Sequence, residues 1–252
     1  MNLPQHYLSR RTDNVKWMRR TEETEILDDP GLPDDMVERA YRDIAAIHRW
    51  LGDTRLITNA IRRDSLPVRR ILDVGCGTGL ALKRIGDTLD VDIVGADIRP
   101  RPRLSGRVPI VQADACLDPL PNADVAFCMC LCHHLPPVDV IRLIRNVGRY
   151  CRRFILLDLV RHPLPLALFG VFVAPLICDV DAQDGRSSIR RSYTSAELRE
   201  LTAMAIDGSS ARFRSSVNPF RLRQVVDISY DPVQSDSKWE VEPTQERDRC
   251  LR

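Results

Sequence analysis

No apolar run among these 252 residues is long enough to cross a bilayer. The longest, Pro163 to Val180, is interrupted by Pro165, Gly170 and Pro175 and falls short of the roughly 20 residues that a spanning helix needs. The first ten residues, MNLPQHYLSR, lack an apolar core of the secretory type, so no leader is expected and the cytoplasm is the expected compartment. A strong charge of either sign is missing too. The formal net charge is +2 and the pI is near 8.1, which gives no push toward nucleic acid or an anionic membrane. Neither is expected as a partner. No internal repeat is present, and the length suits one sizeable core with decorations.

Cysteine is not scarce. There are eight, but in a chain this large without a leader they read as reduced thiols rather than a disulfide frame.

Charge is uneven at the start. Arg10, Arg11, Lys16, Arg19 and Arg20 precede Glu22, Glu23, Glu25, Asp28 and Asp29, so residues 1–33 read as a polar, solvated and partly mobile arm. From Asp34 the pattern changes. Met36, Val37, Ala40, Tyr41, Ile44, Ile47, Trp50 and Leu51 recur at helical spacing, with Asp34 or Asp35 as cap and Gly52 as stop. A second helical piece over about 53–63 completes a helical cap spanning 34–66.

Residues 67–230 carry the main domain. RRILDVG, VDIVGAD, VPIVQAD, DVAFCMCL and RFILLDLV are apolar runs of strand type, separated by helical segments such as Leu80 to Leu89 and Pro137 to Tyr150. Such alternation predicts an α/β fold: a Rossmann-like, mostly parallel sheet covered on both faces. An apolar insert over about 161–188 follows the fifth strand as a lid. YTSAELRELTAMA then predicts a helix capped by Thr194 or Ser195, with Glu197 placed for a capping box. ARFRSSV and FRLRQVVDIS predict a closing antiparallel pair. Residues 231–252, charged and without period, read as a disordered tail.

The stretch ILDVGCGTGL, Ile71 to Leu80, carries the chemistry. Glycine just beyond a strand packs nothing and costs backbone entropy, so Gly75, Gly77 and Gly79 must serve a close approach. The first strand of an open α/β sheet ends at a ligand crevice, and the helix that follows offers free amide donors. Leu80 stands where a dinucleotide fingerprint wants glycine or alanine, and no Lys-Ser/Thr pair follows, which excludes a triphosphate loop. Asp97, at the end of the second strand, is placed to accept both hydroxyls of a ribose. The crevice suits an adenosine ligand without a pyrophosphate.

LDVGCGTG, IVGADI, VQADA, DVAFCMCLCHHL and RFILLDLV, in that order over about Arg69 to Val160, resemble the motifs of the class I S-adenosylmethionine-dependent methyltransferases. The front helices and YTSAELREL resemble the small-molecule, UbiE/UbiG-like and polyketide- or phenol-tailoring members. The resemblance implies S-adenosyl-L-methionine as cofactor. It implies Asp73 at the methionine end and Gly75, Cys76, Gly77 and Gly79 along the turn. Asp97 would hold the ribose, Ile98 the adenine face and Asp114 the exocyclic amine, with Ala115 beside it. Cys130 or Leu131 would pass near the methyl-donating sulfonium.

CMCLCHH, Cys128 to His134, invites a zinc reading that strand geometry opposes. On a straight strand the three thiols stand about 6.5–7 Å apart, too far to share an ion held at about 2.3 Å from each. No metal is expected. His133 and His134 fall just past the fourth strand, where a histidine would take a proton from a phenol or enol as it attacks the methyl group. Both are candidate catalytic residues. Tyr41, His48, Asp158, Arg161, Arg190 and Tyr193 are candidate contacts to the acceptor. Trp50 and the insert's Leu164, Leu166, Leu168, Phe169, Val171, Phe172 and Leu176 would wall an apolar pocket.

The sequence therefore predicts an enzyme of secondary metabolism, a monomer or homodimer, that O-methylates a small phenolic or polyketide-like acceptor. Methylation of RNA or protein through the basic arm, C-methylation of a quinone-type ring, and a non-catalytic cofactor-binding relic are the alternatives. CHHLPP stands where an Asn-Pro-Pro-Tyr motif would mark N-methylation of a nucleobase or glutamine.

Overall fold

The computed structural model describes residues 18–22, 25–29, 31–100 and 108–230. The tail over 231–252, most of the arm and part of the link after the second strand lie outside the described residues. Seven strands form one sheet: β1 (Arg70–Val74), β2 (Asp92–Asp97), β3 (Ile110–Gln112), β4 (Ala123–Met129), β5 (Cys151–Asp158), β6 (Arg212–Val217) and β7 (Gln224–Ser229). Their spatial order is β3-β2-β1-β4-β5-β7-β6, and β7 alone runs antiparallel to its neighbours.

The helices are α1 (Asp34–Trp50), α2 (Asp53–Arg62), α3 (Leu80–Leu89), α4 (Pro137–Val147), α5 (Pro163–Phe172), α6 (Asp179–Arg191) and α7 (Ser195–Ile206). Two cores result, one on each sheet face. Ile57 and Ile61 of α2 and Leu82 and Ile85 of α3 pack on Ile71, Phe127 and Ile155. Val140, Leu143 and Ile144 of α4 and Leu198 and Leu201 of α7 pack on Leu72, Ala126, Phe154 and Leu156. Each of the larger side chains, fully buried, contributes about 1.5–3 kcal/mol.

Local signals explain several element ends. Thr194 and Glu197 form a complete capping box at the start of α7. Pro137 opens α4, where its missing N–H leaves no donor orphaned. Gly52 takes φ +78 after α1. The cap of α1 differs from expectation: Pro33 occupies the cap position and Asp34 is already helical.

A further difference lies at the fourth strand. β4 stops at Met129, Cys130 adopts φ +55, and Cys132 belongs to a short 3-10 turn, Cys132–His134. The three cysteines therefore do not share one strand face.

The arm also departs from its reading as a solvated segment. Ile26 and Leu27 donate their backbone N–H groups to the Asp184 carboxylate of α6 at 2.7 and 3.0 Å. Arg20 donates from Nε to the Arg191 carbonyl at 2.6 Å and lies over the Tyr193 ring at 4.5 Å. The described part of the arm is docked. Among the described residues no helix is long and apolar enough to cross a membrane.

Candidate active site

All five parallel strands that lead the sheet point their carboxyl ends to one rim, which is where an open α/β sheet binds ligands. β1 ends there in the turn Gly75–Gly79. Gly75 and Gly77 adopt φ +72 and +54, and both are needed bare. A Cβ on Gly75 would stand 2.8 Å from Leu131 Cδ1, and one on Gly77 2.9 Å from Tyr41 Cε1. Tyr41 thus covers the turn from α1, and Leu131 from beyond β4. Cys76 sits between them with its sulfur against Gly95, and burial raises its thiol pKa. Gly79 caps α3 in the left-handed region.

Asp97 accepts from the Gly77 N–H at 2.8 Å through Oδ2 and from the Arg99 N–H at 2.8 Å through Oδ1. Each oxygen keeps a lone pair for another donor. Ile98 follows it, exposed. Asp114 accepts the Cys116 N–H, and Asp118 accepts that of Asp114, so this aspartate is built into a turn beside Ala115.

Asp73 is different. It is buried, and no cation among the described residues pairs with it. Burial, with Asp97 nearby, pushes its carboxyl well above the usual carboxylate range. Such a group invites a cationic ligand.

Beyond β4 lies a second group of residues. Cys130, half-buried, holds its position by donating its N–H to the Leu157 carbonyl. Burial raises the Cys130 and Cys128 thiols, and the Cys128 thiol together with burial raises that of Cys132, which keeps them protonated. Asp158, at the end of β5, accepts from the His133 N–H at 3.0 Å and from the Leu159 N–H at 2.7 Å, and it binds His133 Nδ1 at 2.8 Å. Burial opposes its ionisation, but His133 and the backbone donors win and hold the carboxyl low. His133 is 2% exposed and His134 30%. Glu25, reaching in from the arm, faces both imidazoles.

Several expected acceptor contacts have other partners. His48 Nδ1 lies 2.6 Å from Asp53, which also receives Arg223 through Nε and Nη2 at 2.8–3.0 Å. Arg161 donates to the Met18 and Ser192 carbonyls and to Glu197 at 2.6 Å, so its guanidinium ties the arm to α7 instead of facing a pocket. Tyr193 is buried and donates to the Leu135 carbonyl at 2.6 Å, fixing the loop after His134. Arg190 is half-buried, and its carbonyl accepts from the Thr21 N–H. Trp50 is 70% exposed, and Leu164, Val171, Phe172 and Leu176 are exposed as well. These do not wall a closed pocket. Phe169 packs on Gly185 and joins α5 to α6.

Comparison with known proteins gives this rim its chemistry. Residues 71–153 match the family described as a methyltransferase domain. Across that stretch the chain carries a methyltransferase domain. S-adenosyl-L-methionine is the cofactor that the sequence motifs imply.

The fold of this methyltransferase is shared with the plantazolicin methyltransferase BpumL in complex with SAH, at 14% identity and a TM-score of 0.61, over 78% of this chain and 91% of that one. It is shared with the S-adenosylmethionine-dependent methyltransferase SibL, at 19% identity and 0.56, over 82% and 63%. Human N-acetylserotonin methyltransferase in complex with SAM gives 15% identity and 0.55, over 90% and 66%. No curated protein matches the sequence.

The residues present fit the cofactor. Asp97 has acceptor capacity for a diol and the uncompensated Asp73 suits an ammonium group, while Leu131 and Tyr41 pack on the bare faces of Gly75 and Gly77. If Asp73 takes that ammonium, the cation lowers its raised pKa and binding expels a proton. Binding of S-adenosylhomocysteine is therefore expected to release protons at pH values below Asp73's raised pKa, and to tighten as pH rises through it. Titration calorimetry in two buffers of different ionisation heat checks the sign; proton uptake, or no exchange with Asp73→Asn behaving alike, would contradict it.

Glu25, Asp53 and Arg223 escaped the sequence reading. Glu25 was one acid in a charged block, and Asp53 and Arg223 meet across most of the chain.

Proposed function

We propose that the enzyme O-methylates a small, partly apolar acceptor, a phenolic or polyketide-like hydroxyl, in the manner of the UbiE/UbiG-like tailoring enzymes. The observation that carries this reading is the pair of histidines just beyond β4, on the loop whose Leu131 packs at the Gly75 turn. Methyl transfer is an in-line displacement that needs alignment above all, with proton removal as an aid. The cofactor, when bound, supplies an electrophilic methyl group on a sulfonium.

The chain's own residues divide the remaining work. His134 is the more exposed histidine and is the one an acceptor reaches, so it takes the hydroxyl proton at Nε2 or Nδ1. His133 is sealed in and acts as a positioning residue: the carboxylate of Asp158 fixes its ring and the turn that carries His134. Tyr41 and the loop held by Tyr193 limit water at the rim. Relatives of the same fold that include natural-product and O-directed enzymes support the reading; their acceptors do not carry over.

The test is a radiolabelled-methyl assay over simple phenols, resorcinols and quinols. A product methylated on oxygen is expected from at least one, with kcat falling about 10²–10⁴-fold in His134→Gln and cofactor affinity unchanged. No product from any of them, or methylation at carbon, would overturn the proposal. Activity on RNA or protein alone would favour the macromolecular alternative.

A further inference from the structure

The cluster at the acceptor end contains an arrangement that methyl transfer does not call for. His133 Nε2 lies 3.6 Å from Glu25 Oε1, and His134 Nε2 lies 3.8 Å from Glu25 Oε2. Neither is a hydrogen-bond distance. One donor atom from each of Glu25, His133 and His134 falls within 4.8 Å of the other two. The imidazole rings stand side by side, centroids 4.2 Å apart and tilted by 38°.

The orientation of His133 sharpens the point. Both oxygens of Asp158 already accept backbone N–H groups, so the carboxylate acts as acceptor and His133 donates to it from Nδ1. Its Nε2 is thereby turned toward Glu25 Oε1, where a neutral ring would offer a lone pair.

We propose that Glu25, His133 and His134 together hold one divalent first-row transition-metal ion. Two imidazole nitrogens and one carboxylate oxygen are the donor set that zinc, cobalt, nickel and iron prefer over magnesium or calcium. Ligand atoms bound at about 2.0–2.2 Å around one such ion lie roughly 3–3.5 Å apart, so the observed separations need only a small contraction.

The surroundings match those of a metal site. Asp158 on Nδ1 of His133 is the outer carboxylate that ligating histidines commonly have. Glu25 is held in turn: Ser188 Oγ donates to its Oε1 at 2.7 Å, and Arg191 Nη1 stands 3.5 Å from the same oxygen. Oε2 is the oxygen that faces His134 Nε2, at 3.8 Å. Three protein ligands leave coordination positions open to water or to a hydroxyl oxygen of an acceptor. In the ion-loaded enzyme the lone pair of His134 goes to the ion instead of taking the acceptor's proton, and a hydroxyl oxygen bound there gives its proton to solvent water. Only that last role rests on the phenolic reading; ion binding does not.

The sequence predicts no metal at all, histidines included, and an ion here departs from that expectation; the cysteines take no part in this site. Its third ligand comes from the arm.

The test uses the full chain, freed of ions with a chelator and titrated with Zn²⁺ and separately with Co²⁺, without any affinity tag that binds metal. One ion per chain by mass spectrometry is expected, and Co²⁺ should give the visible absorption of a low-symmetry nitrogen and oxygen site. Glu25→Gln and His134→Gln should each weaken binding at least 100-fold, and Asp158→Asn about 10–100-fold. S-adenosylhomocysteine affinity, retained in Glu25→Gln, shows that the fold survives. Wild-type protein that binds the cofactor product fully but takes up no ion, or variants that bind it as the wild type does, would overturn the proposal and leave an imidazolium–carboxylate network. Stoichiometric metal with no methylated phenol would overturn the acceptor assignment alone.

Discussion

Replacing Asp97 by alanine is expected to weaken S-adenosylmethionine and S-adenosylhomocysteine binding about 100-fold. The carboxylate stands at the end of β2 because Gly77 and Arg99 each give it a backbone N–H. Its remaining lone pairs are aimed by those bonds rather than left to rotate. A hydrogen bond to a charged group contributes about 1.5–3 kcal/mol. Losing two ribose contacts, softened by water that enters the gap, leaves roughly 2.7 kcal/mol, which is about two decades in affinity. Asp97→Asn keeps one acceptor oxygen and should lose less. Calorimetry decides: an alanine variant that binds as the wild type does would remove Asp97 from the cofactor site.

The second large effect concerns stability. Asp53 is 1% exposed and Arg223 is buried with it, in a two-point ion pair that His48 completes. Breaking a buried pair by removing one partner costs about 3–5 kcal/mol, because the other charge is stranded. For a unit of this size each kcal/mol moves Tm by about 2–4 °C. Arg223→Met should therefore lower Tm by roughly 10 °C near neutral pH.

The pH dependence has a definite sign. Burial opposes ionisation of Asp53, yet His48 and Arg223 hold its pKa below the ordinary value. A depressed acid stabilises above its unfolded pKa and loses that contribution as pH falls through the folded one. The gap between wild type and Arg223→Met should narrow in acid for that reason. Arg223→Met combined with Asp53→Asn should recover part of the loss. Differential scanning calorimetry on the three proteins tests this, and an unchanged Tm in the single variant would refute it.

Local chemistry made much of the fold legible. The glycine turn after Asp73, the proline that opens α4 and the Thr194–Glu197 box each lie within a few residues, and each forms as its residue types require. The succession of strands and helices along the chain was legible from alternation. The end of β4 was harder. Nothing in DVAFCMCL shows that Cys130 takes a left-handed conformation, which costs an L-residue roughly 1–2 kcal/mol and is imposed by the packing around it.

At the candidate site, residues adjacent to motifs carry a sequence signal and those assembled over distance do not. Asp73, Asp97 and the two histidines announce themselves by position. Arg223 reaches this rim only because β7 runs antiparallel, which sets Gln224 opposite Asp158 and puts the residue before it at the carboxyl ends of the other strands. Glu25 does so because Asp184 and Ser188 of α6 capture the arm. Periodicity carries no record of such pairings.

The two ends of the described chain leave from opposite rims. Met18 accepts from Arg161 close to the histidines, whereas Ser229, at the finish of β7, is in register with Arg153 near the start of β5. The first described residue therefore lies on the reacting side of the sheet and the last at its opposite rim.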